Sequence, residues 1–227
     1  MVAAAAMLAG CAAGPAVPPM AQRQLTASAL SYVALGDSTV EGVGAMAPAR
    51  NYVSRLHERL RGVFPGATLL NLGEGGATAS GVRLRQLPLA LEHRPQLVTL
   101  SVGPNDITGR RSLADYARDV DAILRALGTG TSAVVVVSLI PDLGVTPRFR
   151  GTDVEATVRD RVLAFNDVLG RQARSHGAEV VDLYGPSLAE VPRRPELIAA
   201  DRYHPSDAGY ARWAELMWTG IQARIRR

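Results

Sequence analysis

Lysine is absent from this 227-residue chain, so all 25 basic side chains are arginines. They are scattered, with short doublets at Arg110-Arg111, Arg193-Arg194 and Arg226-Arg227. Nucleic-acid binders gather their cations into a stripe or onto a helix face, so this spread argues against a nucleic-acid partner and reads as a solvated surface. Against 21 acidic residues the formal charge is only +4, a weak bias toward anionic membranes or substrates. There is one cysteine, Cys11, which rules out an internal disulfide. No apolar run approaches the ~18–20 residues of a transmembrane helix. The chain has no G-x-S-x-G, no P-loop and no cluster of metal-ligand residues. These absences argue against an α/β-hydrolase elbow and a phosphate cradle, and no cofactor or metal is expected.

What is present suits one domain: 47% of residues are hydrophobic, ample for a core. Met1 to Gly10 is small and apolar, and Leu8-Ala9-Gly10-Cys11 matches a bacterial lipobox, whose cysteine carries the lipid anchor. The competing reading is a chance cysteine in a short alanine-rich leader that lacks a basic n-region. The Ala-, Pro- and Gly-rich stretch that follows has no apolar periodicity and suits a tether. The expected layout is a signal and lipobox segment over 1–11, a tether over 12–29 and a folded domain over 30–227. The expected location is a bacterial cell envelope, with membrane contact only through the N-terminal lipid.

Within the domain, strand-like apolar runs alternate with helical patterns. Strands are expected at 31–35, 67–72, 97–102, 133–140 and 179–183; four consecutive valines at 134–137 mark one buried on both faces. Helices are expected at 51–63, more weakly at 78–87, behind a capping box at Ser112-Leu113-Ala114-Asp115, and behind a second at Thr152-Asp153-Val154-Glu155. A long loop over 184–205 precedes a last helix with Tyr210, Trp213, Met217 and Ile221 facing inward. Alternating strands and helices predict an α/β/α sandwich, and five strands fit the flavodoxin-like parallel order 2-1-3-4-5. In that order the first strand neighbours the second and third, so Ser38, Gly73 and Asn105 line up at one sheet edge.

A nucleophilic serine needs a base, a group that orients the base, and donors for a developing oxyanion. Ser38 follows the first strand in Gly36-Asp37-Ser38. Of four histidines, only His204 has a carboxylate, Asp201, three residues earlier in a loop. Asn105 offers a side-chain amide, and Gly73 a backbone N–H with no Cβ in the way. Each has a bland explanation alone: an ordinary turn, a tight loop, a surface histidine.

Taken in order, Gly36-Asp37-Ser38, Asn71-Leu72-Gly73, Gly103-Pro104-Asn105-Asp106 and Asp201-Arg202-Tyr203-His204-Pro205 resemble the blocks of the SGNH (GDSL) hydrolase family, lipolytic and esterase type. The resemblance covers about Ser31 to the carboxyl end. It implies Ser38 as nucleophile, His204 as base and Asp201 as its orienter, with Ser38 N–H, Gly73 N–H and the Asn105 side chain as oxyanion donors. Thr39 stands where the family often has leucine. Glu74 would bring a carboxylate near the oxyanion site, so it must be paired or turned away.

The implied activity is hydrolysis of lipid or short-chain acyl esters through an acyl-enzyme, with Leu143, Val145 and Phe149 as candidate rims of an acyl site. The alternative is O-acetyl ester hydrolysis on a carbohydrate; two tryptophans, both late in the chain, argue mildly against an aromatic sugar platform. A silent binding module of the same fold is disfavoured, because every triad and oxyanion position is filled.

Overall fold

The computed structural model describes residues 18–26 and 30–226. Cys11, and with it the lipobox expectation, lies outside them. Five parallel strands form one sheet in the order β2-β1-β3-β4-β5. They are β1 (Ser31–Gly36), β2 (Thr68–Asn71), β3 (Leu97–Ser101), β4 (Val134–Ser138) and β5 (Glu179–Val181). The flavodoxin-like order and the α/β class stand as the sequence predicts.

The helices are α1 (Ser38–Glu41), α2 (Tyr52–Val63), α3 (Ala79–Gly81), α4 (Leu87–His93), α5 (Pro104–Thr108), α6 (Leu113–Gly130), α7 (Glu155–Ser175), α8 (Tyr184–Glu190) and α9 (Asp207–Gln222). Side chains alternate across a strand, so each strand feeds two cores. Val33, Leu35, Val98, Leu100, Val135 and Val137 pack with α6 and α7 on one face. Tyr32, Ala34, Leu97, Val134 and Val136 pack with α2 and α9 on the other. Each such buried aliphatic contributes roughly 1.5–3 kcal/mol, which is why β4 reads as an unbroken valine run. Tyr210, Trp213, Met217 and Ile221 are buried as expected, and the Tyr52 ring stacks on Trp213 at 5.3 Å.

Three local expectations are corrected. The second capping box does not form: α7 starts at Glu155 after Val154, with no side-chain cap. The Thr152 hydroxyl instead donates to Phe149 O, and Val154 is exposed. The helix expected over 78–87 runs on to His93 through a π turn at Val82–Gln86. That wider turn comes just before Pro88, whose missing N–H would break a regular α-helical ladder. The long loop over 184–205 contains α8 and two short 3₁₀ turns.

Residues 18–26, which fall in the stretch expected as a tether, lie against the domain. Met20 joins the core beside α6, and Leu25 bridges to Ile225. The buried Arg23 guanidinium donates to Gly128 O at 2.7 Å, in the last turn of α6, and to Ala133 O at 3.1 Å, at the entry to β4.

Candidate active site

β1 ends at Gly36, whose φ of +150° would place a Cβ 2.0 Å from Ser101 O, so only glycine fits. Gln86 engages both backbone groups of this residue: its Oε1 accepts from Gly36 N at 2.8 Å, and its Nε2 donates to Gly36 O at 2.7 Å, a carbonyl that also accepts from Glu74 N at 3.2 Å. The turn that presents Ser38 is thereby fixed from the side. Asp37 then caps α1, its Oδ1 accepting from Thr39 N at 2.9 Å and from the Thr39 hydroxyl at 2.8 Å. The Ser38 N–H is the first in α1 and has no intrahelical acceptor.

His204 comes from the other end of the chain. The Ser38 hydroxyl and His204 Nε2 lie 2.9 Å apart, and His204 Nδ1 lies 2.6 Å from Asp201 Oδ2. If Nδ1 carries the proton and donates to Asp201, Nε2 is left as an acceptor for the serine hydroxyl. Asp201 Oδ1 also accepts from Tyr203 N and His204 N, which tightens the loop around the imidazole. Burial raises the Asp201 pKa, but the imidazole and those two N–H groups outweigh it, and the net shift is downward.

Asp37 behaves oppositely. Burial pushes its carboxyl up to about 6, only partly countered by the Thr39 donors and His204, while Asp106 adds to the rise. Its Oδ2 is buried with no hydrogen-bond partner among the described residues. Asp106 is also buried and also raised, though Ala79 N–H and Arg111 hold it back.

The two other expected donors reach the same edge. A Cβ on Gly73 would lie 2.4 Å from Glu41 N and 2.6 Å from Val40 C, so this glycine rests directly on α1. Its N–H donates to Asn71 Oδ1 at 3.0 Å, and Asn71 Nδ2 donates to Val40 O at 2.8 Å. Asn71, which carries no role in the sequence reading beyond its block, thus ties the Gly73 loop to the serine turn. The Asn105 amide gives one hydrogen to Ala77 O at 3.0 Å; its second has no acceptor among the described residues. Glu74, the awkward carboxylate, pairs with Arg85 at 2.9 Å. Of the other histidines, His57 bonds Ala67 O and His176 meets Asp121. Among the described residues no group of three or more His, Cys, Asp or Glu is placed to hold a metal.

An apolar pocket opens at Ser38 and His204 and runs between α8 and α9, past Leu183, Val191, Leu197, Ile198, Trp213 and Leu216. Its volume is about 100 Å³. The anticipated rim is only partly right. Leu143 lines the pocket, whereas Val145 is buried away from it and Phe149 packs edge-on against Tyr203 at 5.9 Å. Sequence reasoning missed the remaining wall because the 184–205 segment has no periodicity to read, and Trp213 registers only as core.

Known proteins resemble this arrangement. A GDSL-like esterase of Mycobacterium tuberculosis is 28% identical over 82% of this chain, and the alignment spans 60% of that longer protein. An acetylxylan esterase of Geobacillus stearothermophilus is 26% identical over 77% of this chain and 83% of its own length. A solved acetyl xylan esterase structure from the same organism superposes with a TM-score of 0.71 at 19% identity, covering 87% of this chain and 97% of that one. The model of the GDSL-like Lipase/Acylhydrolase family matches residues 34–212, a span that takes in Ser38, Gly73, Asn105, Asp201 and His204, and the chain belongs to that family.

Proposed function

We propose that this protein is a serine esterase that cleaves apolar acyl esters through an acyl-enzyme on Ser38. The observation that carries the reading is the unbroken line from Ser38 Oγ through His204 to Asp201, at 2.9 and 2.6 Å. His204 Nε2 takes the serine proton as Oγ attacks the ester carbonyl carbon, and the carbonyl electron pair moves onto oxygen. Ser38 N–H and the open Asn105 hydrogen receive that oxyanion, joined by Gly73 N–H once it turns from Asn71. The oxyanion collapses, and the alcohol leaves with the proton from His204. Water then attacks the acyl carbon, gives its proton to the same nitrogen, and frees the acid and Ser38.

The pocket supports an acyl chain longer than acetyl. About 100 Å³ holds several water-sized groups at roughly 10–15 Å³ each, and Leu183, Val191, Leu197, Ile198 and Leu216 are among its lining residues. A second reading, O-acetyl ester hydrolysis on a carbohydrate, draws support from the acetylxylan esterase relative. A panel of p-nitrophenyl esters from acetate to dodecanoate, alongside a lysophospholipid and acetylated xylan, separates the two. Chain-length preference beyond acetate that Leu216→Trp shifts back toward acetate supports the pocket. Activity confined to acetylated xylan overturns it. Ser38→Ala should remove turnover and labelling by a fluorophosphonate.

We also propose that Cys11 carries lipid and anchors the enzyme in a bacterial envelope. Leu8-Ala9-Gly10-Cys11 supports this. A single acyl chain binds membranes only marginally, so several are needed for a stable anchor. Labelling with a fatty-acid analogue should tag the protein and fail to tag Cys11→Ser.

A further inference from the structure

Two loops meet outside the pocket, one after β4 and one carrying Asp201 and His204, and each puts an arginine at the junction. Arg148 N–H donates to Arg202 O at 3.0 Å, and Arg202 Nη2 donates to Pro147 O at 3.0 Å. Arg202 has a φ of +70°, a left-handed conformation that a non-glycine residue holds only at some cost. The Arg148 guanidinium lies over the Tyr203 ring, 4.8 Å from its centroid, and 5.4 Å from the centroid of Phe149. Tyr203 in turn stands edge-on to His204, ring centroids 5.0 Å apart. A stack of cation, phenol and imidazole therefore leads to Ser38.

These cations are exposed, and neither has a carboxylate within salt-bridge distance among the described residues. Arg159 pairs with Asp142 and Glu155, and Arg194 and Arg212 both pair with Glu190, whereas the exposed Arg150 and Arg193 have no ion pair among the described residues but also no aromatic face to hold them. Asp201 is the nearest acid in sequence, but its oxygens are engaged by the imidazole and its own loop. Stacking on an aromatic face holds a guanidinium in place while leaving its N–H fork free for a planar or tetrahedral anion. Arg148 held this way, with Arg202 beside it giving one N–H to Pro147 O and meeting no carboxylate, has a plain chemical use.

We propose that Arg148 and Arg202 bind an anionic group on the alcohol side of the ester, so the preferred substrate has a negatively charged leaving group, a carboxylate or a phosphate. This rests on the esterase reading and on the apolar pocket taking the acyl chain. The alcohol then stays outside, at the face where the two loops meet.

The test compares kcat/KM for three butyrate esters: 4-butyryloxybenzoate, its neutral methyl ester, and 4-butyryloxyphenyl phosphate. Two guanidiniums near the surface should favour a charged ester by about tenfold at low salt, and the preference should shrink toward unity in 1 M NaCl. The carboxylate and phosphate probes show which anion the site takes. Within each variant the charged-to-neutral ratio is independent of the fraction folded. That ratio should collapse in Arg148→Gln and Arg202→Gln and persist in part in Arg148→Lys. Cleavage of the neutral ester with no preference for either charged one overturns this proposal and leaves the esterase reading standing. A ratio unchanged in both Gln variants overturns it as well. Failure to cleave any of the three overturns the esterase reading and this proposal together.

Discussion

Asp201 touches His204 twice, with Oδ2 2.6 Å from the ring Nδ1 and Oδ1 3.0 Å from the backbone N–H. One contact is electronic and the other holds the loop. Asp201→Asn keeps an oxygen for the loop but loses the charge that favours an imidazolium. Asp201→Ala loses both. The Asn variant should lower kcat by about two to four orders of magnitude with little change in melting temperature. The Ala variant should also melt earlier. Ester turnover and a thermal melt, run side by side, check both.

Asn105 separates this mechanism from a serine that merely sits on a loop. Removing an oxyanion donor costs roughly 3 kcal/mol of transition-state stabilisation, about a hundredfold in kcat. Asn105→Ala should show that loss. Asn105→Asp should be at least as damaging, because it swaps a donor for an acceptor where negative charge must develop. A correctly folded Asp variant with near-normal kcat would remove Asn105 from the oxyanion site.

Two glycines predict opposite outcomes for one substitution. Gly73→Ala drives a Cβ into the Val40 and Glu41 backbone, at 2.6 and 2.4 Å, with no flexible side chain to yield. It should cost on the order of 1–3 kcal/mol of stability and displace the turn that carries Ser38, lowering kcat. Gly62 sits in α2, and an added methyl there would meet nothing within 4 Å. Gly62→Ala should raise stability by roughly 0.5–1 kcal/mol and leave turnover alone. Denaturant melts of both variants provide the check.

Asp37 gives the fold a pH signature. Its carboxyl titrates near 6 in the folded protein against an ordinary value of 3.8. The folded state therefore binds this proton more tightly than the unfolded state does. The resulting stabilisation is complete below about pH 4, and it is lost as the pH rises through 6. The cost above that window is on the order of 3 kcal/mol for a shift of about two units. Asp37→Asn has nothing to titrate there. Its stability relative to wild type should move in its favour by roughly that amount between pH 3.5 and pH 7. A difference that stays flat with pH would show that Asp37 is not held proton-loving by burial.

Much of this arrangement was legible because its signals are local. The valines of β4 and the apolar stripe of α9 announce burial directly, and the sheet order follows from five strands alternating with helices. Ser38, Gly73, Asn105, Asp201 and His204 stand in short blocks whose residue types suit the chemistry. What stayed hidden depends on distance in sequence. Gln86 braces Gly36 from 50 residues away, and nothing in a mid-helix glutamine signals that role. The pocket wall comes from α8, the 191–198 turns and α9, none of which has a pattern that points at Ser38. Thr152-Asp153-Val154-Glu155 misled because Thr152 found a nearer acceptor in Phe149 O.

The site is also divided between regions of unequal durability. Ser38 hangs from β1, which is hydrogen-bonded on both sides within the sheet, to β2 and to β3. His204 hangs from a loop between a 3₁₀ turn and α9, 166 residues further along the chain. Amides at Val33 to Leu35 should exchange with solvent only when the whole domain opens, and those of Arg202 to His204 in far smaller openings. On warming, the histidine half would leave the serine half while the sheet is still intact. Inactivation would then precede melting, and cooling would restore it.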